Sequence, residues 1–309
     1  MRRLKRRTSK VSMDMKKLYW MTAGLLLAAA AQAEEIKETL DASATGNVDI
    51  YNTAGSVTVE GWSRNTVEVT GTLGEEVEKF IFERNGDTIV VKVKPKHGKS
   101  SGGRSTSSHI TVRVPAGSSL DVATVSADIT VDGVEGEQDL ESVSGSIETR
   151  AFAAEIDAES VSGNVDVSGR GEDSEADLSS VSGNVSARDL AGVIDMESVS
   201  GDVRVSSGSF SDADLETVNG RIDFKGSLQQ AGDLDVETVN GKIVVDFVGS
   251  VSADFDVETF NGRIKNCFGP KPERTSKYAP GWELRFTEGD GEGNVSIASV
   301  NGGVTLCKE

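Results

Sequence analysis

A short phrase recurs through the second half of the chain, and it constrains the fold more than any other feature. Between residues 139 and 304, variants of Asp-x-Glu-Ser/Thr-Val-Ser/Asn-Gly-x-Val/Ile surround Gly145, Gly163, Gly183, Gly201, Gly220, Gly241, Gly262 and Gly302. The first seven glycines follow one another at steps of 18–21 residues, whereas the last step is 40 residues. A near-constant period of about twenty residues is typical of repeat proteins in which each repeat is one coil stacked on its neighbour.

Alternation within each repeat predicts which side chains are buried. Successive residues of a strand point to opposite faces, so Asp235 and Glu237 share one face and Val236 takes the other. After the glycine, Ile243 and Val245 share the inner face. We therefore predict an all-β fold, a single-stranded β-solenoid that is parallel β-helix-like and right-handed, with coils of about 18–21 residues and capped ends.

The corner of each coil holds Val-Ser/Asn-Gly. We expect the glycine to supply a backbone conformation that a side chain would oppose. We expect the residue before it to form a column, in which Asn219, Asn240, Asn261 and Asn301 can hydrogen-bond along the stack. Alternation directs the preceding Ser/Thr inward, and the valine also has the character of a buried residue. Both cannot be buried in a regular strand, so we expect a bend or bulge there.

The first 33 residues have the composition of a secretory signal peptide. Eight Lys/Arg precede or adjoin an apolar run from Leu18 to Ala31, and Ala31-Gln32-Ala33 provides the small residues of a cleavage site. We predict cleavage after Ala33 and export to the periplasm or cell surface of a bacterium. We expect no integral membrane span after cleavage; an uncleaved anchor is disfavoured because the apolar run is short for a bilayer.

The remaining chain is expected to be one continuous, monomeric domain. Residues 34–115 would form the N-terminal coil or coils and a cap, with a hairpin turning at Asn85-Gly86 and a mobile loop from Pro95 to His109. Residues 116–309 would form the regular solenoid. Its cap would be a hairpin whose strands run from Trp282 to Phe286 and from Asn294 to Ser299.

The two cysteines test the stacking at the C-terminal end. Cys267 and Cys307 each lie five residues after a motif glycine, so they occupy the same position in their coils. If those coils are adjacent, the two Cα atoms lie about 5 Å apart, within the range of a disulfide. An intervening coil would separate them by about 10 Å. We predict a structural Cys267–Cys307 disulfide, which suits an exported protein.

The chain is strongly acidic, with a formal net charge of −18, which disfavours nucleic acid as a partner. The repeats align Asp and Glu in two columns on one outer face. The simplest explanation is solubility and the prevention of sideways pairing. The alternative is a cation-binding stripe, with Ca²⁺ as the natural guest of oxygen ligands. Its candidate residues are Asp195, Glu197, Asp214, Glu216, Asp235, Glu237, Asp256 and Glu258.

The sequence offers no convincing catalytic or cofactor-binding residues. Gly98-Lys99-Ser100-Ser101-Gly102 fits the pattern of a hydrolase nucleophile elbow, but the strand, turn and helix that this motif needs are missing from the pattern around it. A glycoside-cleaving carboxylate pair is normally singular and set in a cleft, whereas these carboxylates are periodic. We expect a protein that is not an enzyme. The alternatives are a carbohydrate-active parallel β-helix enzyme and a calcium-stabilised rod.

Three features together resemble a known family. They are the segment from Thr53 to Trp62, the segment from Val112 to Gly117, and the series of Ser-Val-Ser-Gly and Thr-Val-Asn-Gly coils. The chain is similar to the bacterial putative-adhesin domains of unknown function, which are exported β-solenoids. The resemblance implies an envelope or surface protein with an adhesive or scaffolding role, and an envelope protein or a glycan as its partner. It implies no active site.

Overall fold

The computed structural model describes residues 34–96, 107–277 and 280–309. In these ranges the protein is all-β, with 67% of its residues in strands and no helix. The predicted signal peptide lies outside the described residues, as do residues 97–106 of the expected loop and the Ser100 motif. No helix long and apolar enough to cross a membrane occurs in the described ranges.

The described residues form twenty-four strands. In chain order they are β1 (Glu34–Asp41), β2 (Asn47–Trp62), β3 (Thr66–Leu73), β4 (Val77–Asn85), β5 (Thr88–Pro95), β6 (Ser108–Pro115), β7 (Ser119–Asp132), β8 (Gln138–Ser142), β9 (Ile147–Arg150), β10 (Ile156–Ser160), β11 (Val165–Ser168), β12 (Asp173–Ser180), β13 (Val185–Arg188), β14 (Leu190–Ser198), β15 (Val203–Val205), β16 (Gly208–Thr217), β17 (Ile222–Thr238), β18 (Ile243–Phe247), β19 (Ala253–Thr259), β20 (Ile264–Asn266), β21 (Glu273–Arg274), β22 (Trp282–Glu288), β23 (Gly293–Ser299) and β24 (Val304–Lys308).

Each repeat contributes one strand to each of two parallel ladders. In the first ladder, β10 pairs with β8 and β12 so that Asp157 lies opposite Asp139 and Asp177. In the second ladder, β11 pairs with β9 and β13. The long strand β17 serves both, because its first half pairs with β15 and β18 and its second half pairs with β16. Equivalent residues of successive copies therefore lie side by side, as the period predicts.

The core lies between the two ladders. Alternate side chains such as Ile156 and Leu178 from the first ladder, and Val165 and Val185 from the second, are at most 1% exposed. Towards the C-terminal end aromatic rings join the core. The Phe224 ring lies 5.9 Å from the Phe210 ring and also 5.9 Å from the Phe247 ring, measured between centroids. One coil alone could not bury these faces, so stability depends on stacking.

A buried hydroxyl joins neighbouring coils at each corner. The Ser160 hydroxyl accepts a hydrogen bond from the backbone N–H of Gly163 at 2.9 Å and donates one to the carbonyl of Gly145 at 3.1 Å. Ser180 and Ser198 repeat this arrangement one and two coils further on. Because buried backbone groups must find partners, the hydroxyl takes the inner position.

The expectation that the neighbouring valine has a buried position is wrong. Val161 is 46% exposed, while Ser160 is 4% exposed. Alternation holds as far as the valine, so the residue after an inward hydroxyl points outward. The chain then bends over residues 161–163, as expected, and Val161 and Ser162 are both exposed. Hydrophobicity suggested a buried valine, but the hydrogen-bonding demand of the corner backbone decides which residue is inside.

The corner glycines are required for a different reason from the one expected. None of them is among the residues with positive φ, so their backbone conformation is open to other residues. Instead, a Cβ atom on Gly163 would overlap the carbonyl oxygen of Gly145, and one on Gly183 would overlap that of Gly163. Adjacent coils therefore approach so closely at this corner that only a hydrogen atom fits between them.

The asparagines form the expected hydrogen-bonded column, and their order shows how the chain ends. The Asn240 side-chain amide donates to Asn219, that of Asn301 donates to Asn240, and that of Asn261 donates to Asn301, each at 2.9 Å. The last copy of the repeat therefore lies between the two copies that precede it in sequence.

This insertion corrects the expected C-terminal hairpin. β23 pairs in parallel with both β17 and β19, and β24 lies between β18 and β20. β22 pairs antiparallel with β19 rather than with β23. β23 has the same buried alternation (Val295 and Ile297) and the same corner as other repeats, so it fits as a coil of the stack. β22 then covers the outer edge of β19.

The two cysteines confirm that the last two copies are adjacent. Their Cα atoms lie 4.8 Å apart and the side chains form a disulfide between Cys267 and Cys307. Cys267 follows β20, and Cys307 lies in β24, which is the direct neighbour of β20. The 40-residue step therefore contains an excursion through β21 and β22 rather than a further coil.

The N-terminal end is covered by antiparallel strands. The hairpin of β4 and β5 turns at Asn85-Gly86, where Gly86 has a φ of 69°. β5 joins the first ladder by pairing in parallel with β2. On the second ladder, β6 pairs in parallel with β2, β3 pairs antiparallel with β6, and β1 pairs antiparallel with β3. Such covering strands protect the end of a stack from edge-to-edge association.

We expect the buried hydroxyls to be essential for stability. Replacing Ser198 by Ala leaves the N–H of Gly201 and the carbonyl of Gly183 without their partner, which should lower the free energy of unfolding by about 1–3 kcal/mol. Ser200→Ala is the matched control, because Ser200 is exposed two residues away. Chemical denaturation of both variants measures the difference; equal stability would contradict the bridging role.

Two consecutive glycines test the close approach of the coils. A Cβ atom on Gly302 would overlap the Gly241 carbonyl oxygen, whereas one on Gly303 would meet only the Arg263 carbonyl oxygen at 3.3 Å. Gly302→Ala should therefore lower the free energy of unfolding by about 1–3 kcal/mol or more. Gly303→Ala should lower it by less than about 1 kcal/mol. Melting temperatures that fall equally in both variants would refute this explanation.

Candidate binding surface

An exposed apolar column runs along the outside of the corners. We name it the valine stripe. Its members are 41–57% exposed and lie one per coil, in the stacking order Val125, Val143, Val161, Val181, Val199, Val218, Val239, Val300 and Phe260. The corner backbones pair in the same order, for example through the bond from Asn301 N–H to the Val239 carbonyl at 2.8 Å. With strands about 4.8 Å apart, the stripe is about 38 Å long.

The stripe contains most of the exposed large apolar side chains in the described part of the chain. Outside it, only Val193 and Val248 are comparably exposed there. Single exposed apolar residues are ordinary on protein surfaces, but a continuous series of them marks a site of interaction. The valine stripe is therefore the best candidate for a functional surface.

A column of glutamates borders the stripe on the first ladder, and a column of aspartates lies beyond it. Register places Glu141, Glu159, Glu197, Glu216 and Glu237 beside one another, with Ser179 as the neutral exception in β12. Each glutamate lies two residues before a valine of the stripe, on the same outer side of its strand. The surface is thus apolar along its centre and acidic along one margin.

The predicted cation stripe is only partly brought together. Six of its residues lie on the adjacent strands β14, β16 and β17: Asp195, Glu197, Asp214, Glu216, Asp235 and Glu237. The inserted β23 presents Ser296 and Ala298 at the next level and separates Asp256 and Glu258 from them. In the described ranges no group of three or more His, Cys, Asp or Glu is arranged to hold a metal ion.

A cation from the chain itself occupies the isolated pair. The Arg285 guanidinium Nε lies 3.1 Å from an Asp256 oxygen, and its NH2 group lies 2.7 Å from Glu258. Arg285 is on β22, which covers this end of the first ladder. A cationic side chain is therefore the partner that the structure shows for this end of the acidic face.

Three central aspartates of the first ladder have raised pKa values. The pKa of Asp157, Asp195 and Asp214 is raised to about 6, first because burial removes water from the carboxylate and second because carboxylates of adjacent strands repel it. One oxygen of Asp157 and one of Asp214 are buried without a hydrogen-bond partner. The face therefore holds more negative charge than its surroundings stabilise.

The stripe and its acidic margin form a groove of about 500 Å³ towards the C-terminal end. Its floor consists of Val181, Val199, Val218, Val239, Val300 and Phe260. One side is formed by Glu197, Glu216, Glu237 and Glu258. Thr275 and Gly281, from the excursion before β22, close one end of the groove. An elongated ligand with apolar and cationic groups would match this lining.

The aromatic residues considered for sugar binding lie apart. The Trp62 indole N–H donates to the Thr66 carbonyl at 2.8 Å, and the Arg64 guanidinium lies 5.0 Å from its ring centroid. Trp282 lies under Arg274 on the strand that covers the opposite end of the first ladder. Both rings are engaged by neighbouring side chains or backbone, and they do not share a cleft with the acidic columns.

Sequence reasoning identified the acidic columns but missed the valine stripe. The necessary signal was present: alternation from Asp and Glu through the inward hydroxyl directs the valine outward in every repeat. A single exposed valine in a strand is ordinary. Only the recurrence of an exposed apolar residue at the same position in nine coils, eight times valine and once Phe260, marks a candidate binding surface.

These features define an all-β repeat protein with an amphipathic exterior. The chain belongs to the Toastrack DUF4097 family, whose family model matches residues 45–307. This match confirms the family resemblance drawn from the Ser-Val-Ser-Gly and Thr-Val-Asn-Gly coils. No curated protein matched the sequence.

Several solved structures are similar to the chain. A putative adhesin of Bacteroides fragilis is 12% identical, with a TM-score of 0.44 over 89% of this chain and 97% of that one. A putative lipid binding protein of Parabacteroides distasonis is 16% identical, with a TM-score of 0.41 over 89% and 97%. A putative adhesin of the same species is 10% identical, with a TM-score of 0.34 over 90% and 98%.

The raised aspartate pKa values predict an inverted pH dependence of stability. A carboxyl with a pKa of about 6 in the folded chain and an ordinary value of 3.8 binds its proton more tightly when folded. Its stabilising effect is complete below pH 3.8 and is lost as the pH rises through about 6. The melting temperature should therefore increase when the pH is lowered from about 7.5 to about 5.

The same reasoning assigns the effect to particular residues. Asp195→Asn with Asp214→Asn removes two of the repelling charges, so it should raise the melting temperature at pH 7.5 and flatten its change with pH. Asp166→Asn, at an exposed position on the second ladder, is the matched control. A double variant with the full pH dependence of the wild type would refute the assignment.

Proposed function

We propose that the protein is an exported, non-enzymatic binding or scaffold module of the bacterial cell envelope, adhesive in character. In this proposal its coils form a right-handed, parallel β-helix-like solenoid, which acts as a monomer and presents the valine stripe to a partner. The observation that carries the proposal is the nine-membered exposed apolar column. A partner would shield this surface from water on binding, which provides a driving force for association.

Export is supported by two independent features. The first 33 residues have the charge and hydropathy pattern of a signal peptide. The disulfide between Cys267 and Cys307 suits the oxidising conditions outside the cytoplasm. Fractionation of the native bacterium with surface-accessibility labelling tests the location. Recovery in the cytoplasm would overturn the proposal, and confinement to the periplasm would leave the scaffold role and remove direct adhesion.

A binding role explains the surface better than catalysis does. The carboxylates repeat along the first ladder, whereas a glycoside hydrolase needs a pair of carboxyl groups flanking the scissile bond. The groove floor is formed by aliphatic side chains and Phe260, and the described residues of its lining include no histidine or cysteine. These features favour recognition of a partner over turnover of a substrate.

The valine stripe can be tested directly by substitution. The change of Val199, Val218 and Val239 to Thr keeps the branched shape of each side chain and adds a hydroxyl that water can solvate. Binding of the protein from residue 34 onward to envelope preparations and to a glycan array should weaken about tenfold or more. Val248→Thr, equally exposed outside the stripe, should bind like the wild type. Unchanged binding by the triple variant would contradict the proposed surface.

A further inference from the structure

The glutamates beside the valine stripe lack partners in the described part of the protein. Glu197, Glu216 and Glu237 are exposed on the adjacent strands β14, β16 and β17. The ion pairs of the described residues involve none of the three. Partial desolvation, and after it repulsion from Asp214, Glu197 and Glu237, raises the pKa of Glu216. Positive charge brought to this margin would relieve that repulsion.

The protein shows with its own residues how such charge is accommodated. At one end of the first ladder, Arg285 contacts Asp256 and Glu258 together. At the other end, the Lys92 ammonium lies 4.3 Å from the ring centroid of Tyr51, which holds the position that glutamates hold in later coils. The acidic margin therefore has a cationic side chain at each end, and the described residues supply no ion pair to the glutamates in its middle.

The spacing of the stripe indicates the shape of that partner. Its side chains advance about 4.8 Å per coil along the stacking direction. The apolar face of an α-helix advances about 5.3 Å per contact, because its contacts recur every three to four residues. Same-face residues of an extended strand recur every 6.6–6.8 Å or so. A helix laid along the stripe therefore drifts by only about 0.5 Å per coil, whereas a strand drifts by about 2 Å at each coil.

The groove has the form that such a helix requires. Its apolar floor is continuous, since it follows one position in successive coils, and a row of carboxylates lies along one side. Amphipathic helices that dock in grooves of this kind bury their apolar face in the groove. An acidic margin selects helices flanked by Lys or Arg and repels acidic helices and anionic lipid surfaces.

We propose that the groove docks a cationic amphipathic α-helix of a partner protein. The apolar face of the helix lies on the valine stripe from Val181 to Phe260, and its Lys or Arg side chains contact Glu197, Glu216 and Glu237. This inference rests on the proposed function, since it assumes that the stripe is a contact surface, and it adds the chemical class of the partner.

Synthetic peptides of about 20 residues test the proposal on the protein from residue 34 onward. The probe has leucines along one helical face and lysines on both flanks. One control peptide has the same composition in scrambled order, so that its leucines form no continuous face. A second control keeps the leucine face and replaces the lysines by glutamates. Fluorescence anisotropy should show binding of the probe at least about tenfold tighter than either control, and weaker in high salt.

Variants of the protein locate the binding. Combined Glu197→Gln, Glu216→Gln and Glu237→Gln should weaken probe binding about tenfold and reduce its salt dependence. Combined Val199→Thr, Val218→Thr and Val239→Thr should weaken it by a similar factor. Val193→Thr with Val248→Thr, exposed to the same degree outside the stripe, should leave it unchanged. Circular dichroism and melting temperature establish that each variant folds. If the threonine variant does not fold, the variant with the isosteric glutamines still tests the proposal.

Each alternative outcome overturns the inference. Equal binding of the scrambled peptide would mean that charge alone attracts it, and equal binding of the acidic peptide would mean that the margin selects nothing. Self-association through the stripe, detected by sedimentation and abolished by the threonine set, would identify a second copy of this chain as the occupant. If no peptide binds while the threonine set still loses binding to envelope preparations, the helix is refuted and the proposed function stands.

Discussion

The hydrogen bond between a buried corner hydroxyl and the glycines of two coils is the contact on which the structure depends. The hydroxyl of Ser160 or its equivalents can reach both coils only because the corner glycines approach so closely that no Cβ fits between them. The close approach and the bridge therefore require each other. Together they explain why Ser/Thr and Gly recur three residues apart in every repeat. The two residues between them are exposed, so the packing of the core does not constrain them.

The outer surface follows from this inner contact. Once the hydroxyl is directed inward, alternation places the valine and the glutamate of the same strand outward. Repetition turns each of them into a column, so a local rule becomes a stripe about 38 Å long with an acidic margin. The pKa of Asp195 and Asp214 is raised to about 6 first by burial and then by the repulsion between carboxylates that this repetition aligns. A surface of this kind would be stabilised by positive charge beside its carboxylates and by apolar groups packed on its valines.

The C-terminal end departs from sequence order while it keeps the same contacts. The last copy lies between the copies of Gly241 and Gly262, and its Ser299 hydroxyl and Asn301 amide take their places in the two columns. The inserted copy fits at this level because it carries a buried hydroxyl and a corner glycine like its neighbours. β22 pairs antiparallel with β19, and its Arg285 contacts Asp256, so β22 covers the outer edge of that coil. The inserted copy also interrupts the acidic columns with Ser296 and Ala298.

The period, the alternation and the position of the cysteines were sufficient to predict an all-β stack of parallel coils, its asparagine column and the pairing of Cys267 with Cys307, because these features depend only on contacts between equivalent residues. The sequence could not show the reason for the corner glycines or the order of the last coils. The reason for the glycines is a short distance between two backbones, which exists only in the folded stack. The order of the last coils depends on which strands β23 pairs with, and the shared repeat motif does not specify that choice. Alternation alone predicts an inward hydroxyl, but the hydrophobicity of the next residue suggested that the valine is buried as well. The folded corner, where buried backbone groups must be hydrogen-bonded, resolves this conflict: the hydroxyl is inside and the valine is exposed.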